Sequence, residues 1–304
     1  MRVVFMGTPE FSVPSLKALH ASFEVVGVYT QPDKPQGRKM IPQAPAVKQC
    51  AEELGIPVFQ PKNFKDPETI KELESLEPDF LAVIAYGLLL PKAVLEIPKK
   101  AAINAHASLL PKHRGASPMQ AAILAGDPWT GVTTMLMDLG LDTGDMLLKR
   151  KIPLARKRIQ EVHDELAQIS AELFRETIEH FESIVPEKQD PSEATFTTKL
   201  TREHGLIDLA QSAEDIERAF RAYYPWPGIT LLRGGKRLKI HGLSLIEGPS
   251  DEAPGTVTEI AKEGIIIATG QGLIRLESLQ PEGKRPMSAW EYQLGHNLKK
   301  GDQL

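Results

Sequence analysis

The chain has 304 residues, of which 41% are hydrophobic and 25% are charged. This balance is typical of globular proteins and excludes a disordered or fibrous chain, while the length is sufficient for two domains. The formal net charge is −4, so the bulk charge gives no sign of a polyanionic partner. A nucleic-acid site must therefore come from local clusters of basic side chains.

The cellular compartment is indicated by the cysteine content and by the start of the chain. Cys50 is the single cysteine, so no intramolecular disulfide can form, which fits a reducing compartment. The first residues have the pattern of a strand and a turn, not of a basic and then apolar signal region. No apolar run reaches the ~18 residues of a membrane span. We therefore expect a cytoplasmic protein with no membrane contact.

Apolar runs alternate with helical patterns through the first half of the chain. Strands are predicted at 2–6, 23–30, 57–59, 80–86, 101–103 and 131–137, and helices at 44–55, 67–76, near 91–97, at 118–126 and at 158–182. Such alternation predicts an α/β fold with a doubly wound, mostly parallel, Rossmann-like sheet. The turn after the first strand lacks G-x-G-x-x-G, and no acidic ribose partner follows the second strand, so NAD binding is disfavoured.

The character of the sequence changes between 185 and 206, where prolines, threonines and mixed charges indicate an extended linker. Beyond it, one helical pattern at 212–222 precedes about five short β-like runs separated by glycine-rich turns. This pattern predicts a small OB-like β-barrel. The predicted organisation is therefore a catalytic domain at 1–186, a linker at 187–206 and a C-terminal domain at 207–304.

Three polar residues are candidates for chemistry. The strand at 101–103 continues into Asn104 and His106, which the side-chain period of two places on the same side of the chain, and Asp142 lies in a later glycine-bounded loop. An amide, an imidazole and a carboxylate suit an oxyanion donor, a proton shuttle and a group that orients the shuttle. Ser108 lies outside any G-x-S-x-G elbow, which makes covalent catalysis the weaker interpretation.

Each of these residues also has a structural interpretation. His106 could be a strand histidine that binds a neighbouring carbonyl, and Asp142 could simply form a turn. The nearby polar loops favour the functional interpretation, because ligands of open α/β sheets bind at the carboxyl ends of the strands. The chain contains no His-Glu-x-x-His and no cysteine pair, so no metal site is expected.

Basic side chains cluster in two places. One cluster is the proline- and glycine-rich loop at 31–39, with Lys34, Arg38 and Lys39. The other surrounds the Gly-Gly turn at 234–235, with Arg233, Lys236 and Arg237. Each is interpreted either as a solvated surface turn or as a contact to nucleic acid.

Several motifs together resemble the methionyl-tRNA formyltransferase family. They are Phe-Met-Gly-Thr-Pro-Glu-Phe at 5–11, Gln-Pro-Asp-Lys-Pro-Gln-Gly-Arg at 31–38, Val-Ile-Ala-Tyr-Gly at 83–87, Asn-Ala-His-Ala-Ser-Leu-Leu-Pro at 104–111, Arg-Gly-Ala-Ser-Pro at 114–118, Gly-Leu-Asp-Thr-Gly-Asp at 140–145 and Tyr-Pro-Trp-Pro-Gly at 224–228. The Asn-x-His, Ser-Leu-Leu-Pro and Asp motifs are shared by formyltransferases that use 10-formyltetrahydrofolate, so they imply the reaction class. The turn at 7–11, the loop at 31–38 and the C-terminal domain imply the tRNA acceptor.

The resemblance implies roles for individual residues. Catalysis falls to Asn104, His106 and Asp142. Folate binding is expected at Val83, Ile84, Ala85, Tyr86, Gly87, Leu88, Ser108, Leu109, Leu110 and Pro111, and tRNA binding at Lys34, Arg38, Lys39, Arg233, Lys236 and Arg237. The resemblance further implies 10-formyltetrahydrofolate as the formyl donor, no metal, initiator Met-tRNA as the partner, and a monomer.

Two other functions are compatible with the pattern. The same formyl transfer could act on a small amine, such as an amino-sugar nucleotide or glycinamide ribonucleotide, although small acceptors would not need the 31–39 loop or the C-terminal domain. An RNA-binding module on a catalytically inactive α/β domain is the third hypothesis. The complete set of Asn104, His106 and Asp142 argues against it.

Overall fold

The structure, a computed structural model, describes residues 1–36 and 41–304. The chain divides into two compact units. The first comprises Met1–Met119, Pro128–Leu154 and Gln160–Thr197, and the second comprises Gln120–Asp127, Ala155–Ile159 and Thr198–Leu304. The predicted linker is thus divided, with 187–197 in the first unit and 198–206 in the second, and the domain limits at 186 and 207 stay a prediction.

Residues up to 197 contain eleven described strands and six described α-helices. The strands are β1 (Arg2–Gly7), β2 (Glu24–Tyr29), β3 (Lys34–Gln36), β4 (Ile41–Gln43), β5 (Val58–Phe59), β6 (Phe80–Ile84), β7 (Ala101–His106), β8 (Arg114–Gly115), β9 (Trp129–Leu136), β10 (Met146–Pro153) and β11 (Phe196–Thr197). The helices are α1 (Val13–Ser22), α2 (Ala46–Glu53), α3 (Pro67–Ser75), α4 (Lys92–Leu95), α5 (Pro118–Leu124) and α6 (Ile159–Glu179).

Seven of these strands form the central sheet in the order β10-β9-β7-β6-β1-β2-β5. Five adjacent strands run parallel, namely β7, β6, β1, β2 and β5. Strand β9 is antiparallel to β7, and β10 is antiparallel to β9. Every residue of β6 is buried, which is why its sequence, Phe-Leu-Ala-Val-Ile, is apolar throughout. The prediction of a mostly parallel, Rossmann-like sheet is confirmed.

The helices of this region follow from local sequence. In α3, Asp66 accepts a hydrogen bond from the backbone N–H of Glu68 at 3.0 Å, and Pro67 occupies the first turn, where its missing N–H is not needed. In α6, the buried residues recur at helical spacing and form one apolar face; they include Val162, Leu166, Leu173, Phe174 and Ile178.

Two strand predictions needed correction. The strand predicted at 80–86 ends at Ile84, because Ala85 has a φ of 47°, which breaks the extended backbone. Strand β10 was absent from the prediction. Its apolar residues are interrupted by the consecutive cations Lys149, Arg150 and Lys151, so it lacks the continuous apolar run that identified the other strands. Its position at the end of the strand order makes it a sheet edge.

The region after 197 contains the strands β12 (Ile229–Arg233), β13 (Lys236–Ile246), β14 (Val257–Ala261), β15 (Gly264–Ala268), β16 (Leu273–Pro281) and β17 (Met287–Ser288), and the helices α7 (Ala213–Tyr223) and α8 (Ala289–His296). The strands form one antiparallel sheet in the order β12-β13-β16-β15-β14, with β17 paired to β16. Gly234 and Gly235, with φ of 56° and 77°, make the β12–β13 turn, whose backbone requires positive φ at both positions. A β-rich C-terminal unit is confirmed, and its OB-like closure stays a prediction.

Within 1–36 and 41–304, no helix has the length and apolar character that a membrane crossing requires.

Candidate active site

Asn104 and His106 both lie on β7, in the interior of the central sheet. Asn104 is paired with Val83 of β6 on one side and with Met135 of β9 on the other. Its side chain is half-buried, and it makes no side-chain hydrogen bond to any described residue. The amide is therefore held on a rigid strand with its donor group available to a ligand.

His106 is 7% exposed, and its two ring nitrogens have different surroundings. Nε2 lies 3.0 Å from the carbonyl oxygen of His113, which can only accept, so Nε2 carries a proton and donates it. Nδ1 faces Oδ2 of Asp142 at 3.7 Å. The structural interpretation, a histidine bonded to a carbonyl, is thus true of one nitrogen, and Nδ1 remains for proton exchange.

Asp142 reaches His106 by a route that the sequence pattern did not indicate. Because β9 is antiparallel to β7, its last residue, Leu136, pairs with Ile103, and the loop after it must return toward His106. The carboxylate is then fixed by the backbone N–H of Gly115, which donates to Oδ2 at 2.8 Å. The φ of Asp142 is 54°, a left-handed conformation that Asp tolerates better than most side chains.

The turn after β7 is held by short polar contacts. Ser108 is fully buried and its hydroxyl donates to the carbonyl of Lys112 at 2.7 Å, so it has no exposed oxygen for nucleophilic attack. The hydroxyl of Thr133 donates to the carbonyl of Ser108 at 2.8 Å and accepts from the backbone N–H of Leu110 at 3.1 Å. Thr133 was not a candidate in the sequence analysis, because a strand threonine carries no distinguishing signal.

The residues predicted to bind folate occupy the end of β6 and this turn. Five of them have buried side chains, namely Val83, Ile84, Tyr86, Ser108 and Leu110, whereas Leu88, Leu109 and Pro111 are half-buried. Ala85 and Gly87 are exposed, and both have positive φ. A ligand here would therefore meet mainly backbone and the half-buried side chains.

In the turn after β6, backbone carbonyls accept hydrogen bonds, whereas the backbone N–H groups have no acceptor among the described residues. The carbonyl of Tyr86 accepts from the Thr8 hydroxyl at 2.8 Å and from Nε2 of Gln31 at 3.1 Å, and the carbonyl of Gly87 accepts from the same Gln31 atom at 2.9 Å. By contrast, the backbone N–H groups from 86 to 89 donate to no described residue. The turn therefore presents donors, which suit carbonyl and ring-nitrogen acceptors of a ligand.

The base of the basic loop is anchored to the first unit. Asp33 accepts hydrogen bonds from Gln60 at 2.8 Å and from Nζ of Lys48 at 3.0 Å. Both bonds lower the pKa of its carboxyl group, and the bond from Gln60 has the larger effect. Lys34 is exposed and donates to the side-chain oxygen of Gln31. Arg38 and Lys39, the other predicted tRNA contacts here, lie outside the described residues.

Arg233, Lys236 and Arg237 line one cavity of about 780 Å³ in the second unit. Lys284, Arg285 and His296 lie in the same cavity, with Glu282 and Glu291 as its acidic members. Arg233 is partly engaged, because it donates to the hydroxyl of Tyr292 at 3.0 Å. The sequence analysis missed Lys284 and Arg285; the only signal was a second basic turn, Gly-Lys-Arg-Pro at 283–286. We call these basic side chains and their walls the basic cavity.

Among residues 1–36 and 41–304, no group of three or more His, Cys, Asp or Glu side chains is placed to hold a metal ion.

The class of protein follows from family models. A model described as Formyl transferase matches residues 1–178, more than half of the chain, and one described as Formyl transferase, C-terminal domain matches 199–297. The first matched region contains the central sheet and the residues Asn104, His106 and Asp142, and the second contains strands β12–β17. The class is that of the formyl transferases.

A curated relative narrows this class. Methionyl-tRNA formyltransferase of Trichlorobacter lovleyi is 45% identical over 307 residues, which is 100% of this chain and 96% of that protein. The chain therefore belongs to the methionyl-tRNA formyltransferase family. The family and the enzyme class predicted from the motifs are confirmed.

Solved structures of low identity share the fold. A methionyl-tRNA formyltransferase from Clostridium thermocellum is 20% identical with a TM-score of 0.54, covering 81% of this chain and 94% of that one. An N-formyltransferase from Helicobacter canadensis, in complex with folinic acid and dTDP-3-aminofucose, is 17% identical with a TM-score of 0.67, covering 90% of this chain and 98% of that one. These likenesses concern the fold alone.

Proposed function

We propose that this enzyme transfers the formyl group of 10-formyltetrahydrofolate to the α-amino group of methionine on initiator Met-tRNA, with Asn104, His106 and Asp142 as its catalytic residues and no metal. The observation that carries the proposal is the approach of Asp142 Oδ2 to within 3.7 Å of His106 Nδ1. His106 and Asp142 thus meet although they lie 36 positions apart in the chain. Asn104 lies on the same strand as His106, and its amide makes no hydrogen bond to a described residue.

The first step is attack of the amine nitrogen on the formyl carbon. A new C–N bond forms, and the carbonyl electrons move to the oxygen, giving a tetrahedral intermediate with a negative charge. The amide N–H of Asn104 donates to this oxygen, and the contact strengthens as the charge develops. The bond to the folate nitrogen then breaks and restores the carbonyl.

A proton must move from the attacking amine to the departing folate nitrogen. Nδ1 of His106 accepts it, because Nε2 already donates to the His113 carbonyl. Asp142 stabilises the resulting imidazolium across a gap of 3.7 Å, which is long for a direct hydrogen bond and is suited to closure when substrate binds or to one bridging water. The same nitrogen then returns the proton to the folate.

The folate is proposed to lie between the end of β6 and the turn at 108–111. The backbone N–H groups at 86–89 would donate to its pterin ring, and the half-buried Leu88, Leu109 and Pro111 would contact its flat faces. Support comes from the position of both segments, since β6 and β7 are adjacent and parallel and their carboxyl ends share one edge of the sheet.

Recognition of tRNA is proposed for the two basic regions. Lys34, Arg38 and Lys39 would contact the opened acceptor end, because side chains read splayed bases more readily than paired ones in an A-form helix. Arg233, Lys236 and Arg237 of the basic cavity would contact the phosphate backbone. A monomeric, cytoplasmic enzyme is the accompanying proposal.

One assay separates this function from its rival, transfer to a small amine acceptor. The protein is incubated with 10-formyltetrahydrofolate and, in turn, initiator Met-tRNA, elongator Met-tRNA, an amino-sugar nucleotide and glycinamide ribonucleotide. We expect formylation of the initiator tRNA only. Faster transfer to a small amine would establish the rival, and comparable rates on the two tRNAs would remove Arg38 as a selectivity residue.

A further inference from the structure

The segment at 187–197, predicted from its composition as a linker, is built into the walls of the candidate site. Glu187 and Met146 exchange two backbone hydrogen bonds, each of 2.8 Å. Farther along, the carbonyl of Thr195 accepts from the N–H of Arg114 at 2.8 Å, and β11 then pairs with β8. The segment is thus fixed at one end to Met146, just after the loop that carries Asp142, and at the other end to Arg114 and Gly115 of β8.

Gln189 lies between these two fixed points and is 9% exposed. Its Nε2 donates to the carbonyl of Asp142 at 2.8 Å and to the carbonyl of Gly144 at 2.7 Å. Its Oε1 accepts from Nε and a terminal nitrogen of Arg114 at 3.0 and 2.7 Å. Arg114 is itself 5% exposed and directly precedes Gly115, the residue whose N–H binds the Asp142 carboxylate.

The chemistry of the partners permits one orientation of the Gln189 amide. A guanidinium only donates hydrogen bonds, so the amide oxygen must face Arg114, and backbone carbonyls only accept, so the amide nitrogen must face the loop. Rotation of the amide by half a turn would place donor against donor and acceptor against acceptor. Arg114 therefore fixes Gln189, and Gln189 in turn fixes the backbone on both sides of Thr143.

The fixed loop carries the carboxylate that faces His106. Asp142 has a left-handed backbone with a φ of 54°, so its side-chain direction depends on the surrounding bonds more than on its own preference. The amide of Gln189 holds its carbonyl, and Gly115 holds its carboxylate. Without the first of these anchors, the carboxylate has one remaining short contact and can leave its position opposite Nδ1.

We propose that Gln189 is a positioning residue for formyl transfer, which acts through Asp142 and is locked in place by Arg114. This inference rests on the proposed function, since it assigns Gln189 to the proton transfer at His106. It also gives the 187–197 segment a part in the reaction, beyond joining the two units.

The test uses Gln189→Glu, which keeps an oxygen for Arg114 but presents a second oxygen, which cannot donate, to the two loop carbonyls. Gln189→Ala, which removes both sets of bonds, is the second variant. We expect kcat to fall roughly 10- to 10²-fold in Gln189→Glu, with KM for both 10-formyltetrahydrofolate and initiator Met-tRNA unchanged, because only the geometry of proton transfer changes. Gln160→Ala removes an exposed glutamine that bonds Asp164 in the same unit, and should keep the parent rate.

A double-mutant cycle with Asp142→Asn, read as single-turnover rates with enzyme in excess, separates positioning from general loss of structure. If Gln189 acts through Asp142, Gln189→Glu has little further effect in the Asp142→Asn background. An equal fold-loss in both backgrounds, a rise in either KM without a fall in kcat, or a parent rate in Gln189→Glu would overturn the inference. Absence of transfer by the unchanged protein would instead refute the proposed function.

Discussion

The catalytic residues of the first unit and the basic cavity of the second use polar side chains in opposite ways. At Asp142, the N–H of Gly115 donates to the carboxylate at 2.8 Å and the amide of Gln189 donates to the backbone carbonyl at 2.8 Å, so one side chain is held in place by short bonds. In the basic cavity, Lys236, Arg237, Lys284 and Arg285 are exposed on long side chains. Proton transfer requires atoms at set distances, whereas attraction to a polyanion acts over several ångströms and tolerates motion. Reaction and acceptor recognition can therefore be disrupted separately.

The largest effect is expected at His106. His106→Ala removes the ring nitrogen that faces Asp142, so it should reduce formyl transfer to initiator Met-tRNA by at least ~10²-fold, the lower end for loss of a proton-transfer group. The Kd for the tRNA, measured by filter binding, should remain that of the unchanged protein. His20→Ala, an exposed histidine of α1, is the matched control. Parallel loss of tRNA binding would show that His106 supports the structure instead.

A smaller effect is expected from Arg38→Ala. We expect a higher KM for initiator Met-tRNA and an unchanged KM for 10-formyltetrahydrofolate, because the arginine is assigned to the acceptor end alone. Steady-state kinetics with each substrate varied in turn make the measurement, and Lys71→Ala, which removes an exposed cation of α3, controls for net charge. A raised KM for the folate would contradict the division between reaction and recognition.

In the basic cavity, single substitutions should have modest effects that depend on salt. Arg237→Ala should weaken tRNA binding. The plot of the logarithm of the tRNA binding constant against the logarithm of the salt concentration should become less steep by ~0.7 to 0.9, the change for one lost phosphate contact. Binding isotherms at several salt concentrations provide the slope. Arg175→Ala, on α6, removes a half-buried arginine paired with Glu179 and should leave the slope unchanged. An unaltered slope in Arg237→Ala would place the tRNA backbone elsewhere.

The smallest effect is on stability and involves Tyr29. Its ring is fully buried and stacks on Phe59 with centroids 4.8 Å apart, and among the described residues its hydroxyl has no hydrogen-bond partner. Tyr29→Phe should therefore leave the free energy of unfolding unchanged or raise it by about 1 kcal/mol. Urea unfolding at neutral pH measures it, and a loss of more than that amount would reveal a partner for the hydroxyl.

Tyr29 should also make the free energy of unfolding depend on pH in the alkaline range. Burial, followed by the charge of Glu72, raises the pKa of Tyr29 in the folded protein above that of the unfolded chain. The contribution of this residue to stability is complete below the unfolded pKa of ~10 and is lost as pH rises beyond it. The free energy of unfolding should therefore fall less steeply above pH ~10 in Tyr29→Phe than in the unchanged protein. Identical slopes would show that Tyr29 does not titrate on unfolding.

The sequence predicted the parts of the fold that leave an unambiguous pattern. Strand β6 is apolar at every position and α6 has a complete helical period, so both were found near their true bounds. Strand β10 was missed because three consecutive cations interrupt its apolar pattern. The local pattern of β9 likewise carries no sign that this strand runs antiparallel to β7. At 187–197, prolines and polar residues resemble a linker, and the composition carries no sign that Gln189 is buried.

For the site, residue type could be predicted but geometry could not. Asn104 and His106 share a strand, so their common side follows from the period of two. The approach of Asp142 depends on a loop that returns across the sheet, and its support by Gln189 depends on a contact 47 residues away in the chain. Such contacts leave no local pattern, and the catalytic roles themselves stay predictions.

The amide of Asn104 on β7 is proposed to stabilise the oxyanion of formyl transfer. The most direct test compares single-turnover rates of the unchanged protein and Asn104→Ala, with 10-formyltetrahydrofolate and initiator Met-tRNA both saturating. We predict rapid transfer by the unchanged protein and a loss of ~10²–10³-fold in the variant, the range for removal of one oxyanion donor. Equal rates in the two proteins would contradict the account.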